Sequence, residues 1–187
     1  MGKFAPSDID PKLCTHIVYA YSVMDAENLV MKAGDDWLDV EKGNFKSFVQ
    51  LKQQNPKLKT MIALGGWVDS QQNHDAYNLV FNNDIIRSNF IKNLKEFLKN
   101  WGFDGLDLSY QFPQINEREG FAVWAKNIRK AFGNHFEVLI IKTEIRGSLF
   151  HLVSIFSLQL QYQQIQRSCW MVMTSQNCLS IWTFSML

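Results

Sequence analysis

The chain has 187 residues, enough for one domain or part of a larger one, with 47% hydrophobic and 20% charged residues, a soluble globular balance that excludes a disordered tail. Its 19 Lys and Arg nearly cancel its 18 Asp and Glu, so no global field argues for a nucleic acid or a membrane as partner. The charge is unevenly spread: residues 148–187 carry one formally charged side chain, Arg167, and no acid at all.

Strand and helix signals alternate through the first 140 residues. The β-branched and aromatic run at 15–21 predicts a buried strand, and Phe45, Phe48, Val49 and Leu51 at helical spacing predict an amphipathic helix over about 40–54, ended by Asn55-Pro56. A second strand is expected at 59–64, closed by Gly65-Gly66, and a long helix from about 85 to 101 along the Phe90, Leu94, Phe97, Leu98 and Trp101 face. A third strand is short, 105–108, with Pro113 in the loop after it. Phe121, Trp124, Ile128 and Phe132 mark the inner face of a helix over 119–132, stopped at Gly133-Asn134, and 138–142 reads as a fourth strand. This order implies βαβ units and a parallel sheet, either an open doubly wound sheet or a closed (β/α)8 barrel. No GxGxxG or GxxxxGK occurs, which argues against nucleotide binding.

Cys14, Cys169 and Cys178 have no metal-ligand spacing, and any disulfide scheme leaves one of the three over; no metal and no cofactor are expected. The first residues lack the apolar core of a signal peptide, Pro6 stands where a myristoylation motif wants Ser or Thr, and the apolar run at 149–160 is too short to span a bilayer. Trp37, Trp101 and Trp124 read as structural. His16, His74, His135 and His151 show no spacing that marks a ligand.

The informative segment is Phe103-Asp104-Gly105-Leu106-Asp107-Leu108-Ser109-Tyr110-Gln111-Phe112-Pro113. Asp107, Ser109 and Gln111 are two residues apart and share a strand face, which at the carboxyl end of a parallel strand points toward the mouth where barrel enzymes hold substrate. The plain alternative is a strand end with a few solvated polar groups.

This segment resembles the signature of the family 18 glycoside hydrolases, the chitinases and chitinase-like proteins, whose pattern is Phe-Asp-Gly-Leu-Asp-Leu-Asp-Trp-Glu-Tyr-Pro. The run Cys14-Thr15-His16-Ile17-Val18-Tyr19-Ala20-Tyr21 resembles that family's second strand, and Lys59-Thr60-Met61-Ile62-Ala63-Leu64-Gly65-Gly66-Trp67 its third strand and Gly-Gly-Trp loop. The similarity runs from about residue 3 to 136. It implies a (β/α)8 TIM barrel that is incomplete here, with about strands 2–4 or 5 present, and a first strand that is absent together with a cysteine that often pairs with the Cys14 position. The expected division is a partial chitinase-like barrel domain at 1–140 and an unrelated tail of doubtful fold at 141–187. Back-translation of 160–187 in a shifted frame permits a string like the family's fifth and sixth strand region, so the tail reads as a retained intron followed by out-of-frame translation. An incomplete barrel should leave unpaired strand edges.

The resemblance also implies a mechanism in which a Glu protonates the glycosidic oxygen and an Asp two residues earlier orients the substrate's own N-acetyl group. The motif positions Asp104 and Asp107 match. The Glu position is Gln111 and the orienting Asp position is Ser109, so both roles are degenerate: an amide can donate a hydrogen bond but cannot act as the acid. Trp67 would line the cleft, Tyr21 its floor, and Tyr110 would stand beside Gln111; each also fits ordinary packing. The resulting expectation is a catalytically degenerate, extracellular protein that binds chitin or N-acetylglucosamine oligomers. One alternative is an active or weakly active chitinase with Asp107 or Glu117 as the acid; another is a non-functional truncated translation product.

Overall fold

A computed structural model of the chain describes residues 5–140, 169–174 and 179–183. Strand β1 (His16–Asp25) turns back into a short antiparallel partner, β2 (Val30–Lys32). A turn of π-helix (Asp36–Glu41) leads into helix α1 (Asn44–Gln50), a 3-10 turn and strand β3 (Lys59–Gly65). Three helices follow, α2 (Trp67–Gln72), α3 (His74–Asn82) and α4 (Asp84–Trp101), before strand β4 (Gly105–Ser109), helix α5 (Arg118–Phe132) and strand β5 (Glu137–Ile140). Strands β6 (Cys169–Thr174) and β7 (Leu179–Thr183) complete the described elements.

Neighbouring strands β1, β3, β4 and β5 pair in parallel in that spatial order, each joined to the next through helices. Alternate residues therefore face opposite sides. Ile17, Tyr19, Ile62, Leu64, Leu106 and Leu108 form one continuous core with Phe45 and Phe48 of α1, Tyr77 and Phe81 of α3, Phe90 and Leu94 of α4, and Trp124 and Phe132 of α5. On the other face Val18, Ala20, Met61 and Ala63 make a small second cluster edged by Tyr21 and Leu139. A sheet with helices on one face and strand residues alone on the other has the layering of a barrel wall.

The long helix is set by local signals. Asn83 accepts from the amides of Ile85 and Ile86 at 3.0 Å each, and Gly102 closes α4 at φ 78°. The helix expected over 40–54 splits into the π-helical turn, α1 and the 3-10 turn, because Gly43 at φ 78° interrupts it. Helices α2 and α3 and the β2 hairpin arm were not anticipated. Trp37 is 55% exposed with Lys42 over its ring, so it is no core residue, whereas Trp124 is fully buried.

The sheet also takes in strands beyond residue 140. Strand β6 pairs in parallel with β1 from His16↔Trp170 to Ala20↔Thr174, and β7 pairs antiparallel with β6. The β1 edge is thus occupied. Residues 141–168, 175–178 and 184–187, which hold most of the tail read as out of frame, lie outside the described residues, as do 141–142 of the expected fourth strand, His151 and Cys178. Cys14 is disulfide-bonded.

Candidate functional site

The carboxyl ends of β1, β3 and β4 open into a cavity of about 850 Å³, bounded on one side by the β1–β2 hairpin and on the other by the turn from β3 into α2. Tyr21, Lys32, Gly66, Trp67, Asp69 and Gln111 are among its walls.

The turn has a strict backbone requirement. Gly65 and Gly66 lie at φ 114° and 86°, a region that disfavours L side chains. A Cβ on Gly65 would stand 2.9 Å from the Ser109 carbonyl, and one on Gly66 would stand 3.2–3.3 Å from the Tyr21 ring. The pair of glycines thus lets β3 press against the end of β4 and against Tyr21, and the Gly66 amide donates to the Ser109 carbonyl at 3.0 Å. Trp67 emerges from this turn as the first residue of α2, 56% exposed, so packing under a loop does not describe it. Its ring meets that of Phe112, itself 58% exposed, edge-on at 5.5 Å.

Asp69, in the first turn of α2, binds the hairpin to the helices. It accepts from the Met24 amide at 3.1 Å, Asn73 Nδ2 at 2.6 Å and the Tyr77 hydroxyl at 2.6 Å. Burial pushes its carboxyl up, an effect these donors oppose. Gln111 is fixed by the same helix, its backbone N–H donating to Ser70 Oγ at 3.0 Å.

The motif residues separate into three places. Asp104 stands before β4, at the end opposite the cavity, where Oδ2 accepts from the Thr60 amide, the Thr60 hydroxyl and Lys52 Nζ at 2.8, 3.1 and 2.9 Å. It fastens β4 to β3 and cannot meet a substrate in this cavity. Asp107 and Ser109 lie on β4 with their side chains buried, and Ser109 Oγ donates to Asp107 Oδ2 at 3.0 Å. The other oxygen, Asp107 Oδ1, has no partner among the described residues. Burial pushes the Asp107 carboxyl up to about 7, with the Ser109 hydrogen bond opposing more weakly. Its charge in turn adds to the burial that raises the Tyr21 hydroxyl.

Gln111, Trp67 and Tyr21 do share the cavity. Tyr110 does not. It faces the helices, packs against Tyr77, Phe81 and Phe121, and donates to Glu117 Oε1 at 2.9 Å. Strand alternation is the reason: if Gln111 faces the cavity, its neighbour faces the core. Glu117, 1% exposed and held by that hydroxyl, is likewise absent from the cavity wall, which leaves it no geometry for the acid role. Sequence reasoning missed Asp69, Ser70 and the hairpin residues; the run Ala76, Tyr77, Val80, Phe81, at helical spacing, is the signal that the segment after Trp67 is helical. Among the described residues no group of His, Cys, Asp and Glu is placed to hold a metal ion. No described helix is long and apolar enough to cross a membrane.

A parallel sheet walled on one face by helices, with a cavity at its carboxyl ends, is the architecture of a (β/α)8-barrel protein. The model of the glycosyl hydrolases family 18 matches residues 2–173, and the chain belongs to that family. Probable chitinase 2 of Drosophila melanogaster is 34% identical over 143 residues, 72% of this chain and 29% of that protein. The second catalytic domain of the Group II chitinase of Ostrinia furnacalis, in complex with (NAG)5, is 38% identical with a TM-score of 0.66, covering 73% of this chain and 38% of that one. Human YKL-39, described as a pseudo-chitinase with retained chitooligosaccharide binding properties, is 26% identical with a TM-score of 0.63 over the same shares. The chain therefore spans less than two-fifths of each of these proteins, and its fold is an incomplete TIM barrel.

Proposed function

We propose that the chain is part of an extracellular chitinase-like protein that binds N-acetylglucosamine oligomers without hydrolysing them. The observation that carries this reading is the pair at the end of β4. An amide, Gln111, stands on the cavity wall where the family acid belongs, and the Ser109 hydroxyl is spent on Asp107 rather than free for a substrate. An amide holds no proton to deliver to a leaving oxygen, so the site retains hydrogen-bonding capacity and loses the acid. An exposed Trp67 beside Gln111 offers a ring face for the C–H side of a pyranose. The retained binding of YKL-39 is a precedent within the same fold. A disulfide at Cys14 suits an oxidising compartment.

Titration calorimetry with chito-oligosaccharides tests the binding. Trp67→Ala should weaken it by about 1–3 kcal/mol, the scale of a lost aromatic platform. Chitin hydrolysis should stand at background, and Gln111→Glu alone should restore little because Ser109 still leaves the N-acetyl group unheld. Ser109→Asp combined with Gln111→Glu, in a version carrying the whole barrel, should recover turnover of a chromogenic oligosaccharide. Hydrolysis by the unaltered protein would overturn the reading.

A further inference from the structure

We propose that Glu117 is the positioning residue of this site, a buried carboxylate that locks the 110–117 loop and thereby ties the two cavity walls together. The proposal rests on the sugar-binding reading for what the cavity holds, and on the following geometry for the rest.

Glu117 precedes the first turn of α5, yet its side chain does not cap that helix. It reaches back instead. Oε2 accepts from the Gln114 amide at 2.7 Å and Oε1 accepts from the Tyr110 hydroxyl at 2.9 Å, while His74 Nε2 lies 2.8 Å from Oε1, at ion-pair distance. Asn78 Nδ2 stands 3.2 Å from His74 Nδ1. Asp75, 3.5 Å from Nδ1, and Gln114 Nε2, 3.5 Å from Nε2, complete the groups facing the imidazole.

A carboxylate at 1% exposure is costly unless it is partnered, and here two hydrogen-bond donors and the His74 imidazole partner it. Each partner belongs to a different piece of the site. Tyr110 is the neighbour of Gln111, Gln114 lies beyond Phe112 in the loop, and His74 opens α3, one residue after the helix that begins with Trp67. Any loop movement that breaks this set leaves a buried charge short of partners, so the loop has one favoured position. In that position Gln111 reaches Ser70 and Phe112, at φ 57°, meets Trp67 edge-on. Gln111 and Trp67 come from different crossovers of the sheet, and one carboxylate fixes their relation.

The test uses Glu117→Gln, which keeps the side-chain volume, and His74→Ala at a partly exposed position. Amide exchange is followed at Gln111 and Gln114 by mass spectrometry without sugar, and affinity for chito-oligosaccharide is measured in parallel. Glu117→Gln should accelerate exchange at Gln111 and Gln114 about tenfold or more, with α4 amides unchanged, and weaken oligosaccharide binding by a similar factor. His74→Ala should do the same by about three- to tenfold. Unchanged exchange at Gln111 in Glu117→Gln overturns the proposal. So does a lowered melting temperature with full affinity in the folded protein, since that describes a merely structural group. If the unaltered chain binds no oligosaccharide, the functional reading fails, and the exchange arm still decides what Glu117 does to the loop.

Discussion

Asp107 shows how a buried carboxyl depends on one strand neighbour. In a strand buried on both faces, its carboxyl keeps one hydrogen bond, from Ser109, and one unpartnered oxygen, and burial lifts its ionisation to about 7. A carboxyl whose folded-state value lies above its unfolded value binds protons more tightly in the native state. Its stabilising contribution is full below about pH 4 and is lost as pH rises to about 7. The chain should therefore lose stability between pH 5 and pH 8, by up to about 2.7 kcal/mol if Asp107 acted alone. Asp107→Asn should flatten that slope and be the more stable form at pH 8, by on the order of 1 kcal/mol once an imperfectly paired amide is allowed for. Denaturant unfolding of both proteins at pH 5 and pH 8 checks this. Equal slopes would show that Asp107 is already paired in solution.

At the scale of elements, helix α4 depends on a cap whose removal is cleanly measurable. Asn83 satisfies two orphan amides, so Asn83→Ala should cost about 1 kcal/mol, read as a lower denaturation midpoint with unchanged m-value. That helix was legible because Phe90, Leu94 and Leu98 recur at helical spacing and Gly102 ends it. Helices α2 and α3 were not, because a Gly-Gly-Trp turn reads as a loop and the polar run from Asp69 to Asp75 hides the apolar residues that follow. The three-residue β2 is too short to leave a period. Within the motif, strand parity puts Asp107 and Ser109 on one face, and Gln111 lines the cavity; the same parity turns Tyr110 toward the helices, an inference the alternation already contained. Asp104 precedes the strand expected at 105–108, so its end of the strand was legible; its partners Thr60 and Lys52 were not.

For the whole molecule, the sheet's edges decide how an incomplete barrel stands in water. Strands β1, β3 and β4 are flanked on both sides and buried, so their amides should exchange slowest, and those of β5 and β7, at the ends of the described order, fastest. The occupied β1 edge makes a sharper prediction. Strand β6 supplies the backbone partners from His16 to Ala20 that a neighbouring barrel strand would otherwise supply. A chain ending at residue 168 would present that row unpaired beside an apolar face, the condition under which strands recruit one another. Such a truncation should self-associate, seen as a concentration-dependent rise in light-scattering mass, while amides of Ile17 to Ala20 lose protection in the monomer fraction. A truncated chain that stays monomeric, with those amides as protected as before, would show that β6 is dispensable and that β1's edge is covered by something other than the strand paired with it here.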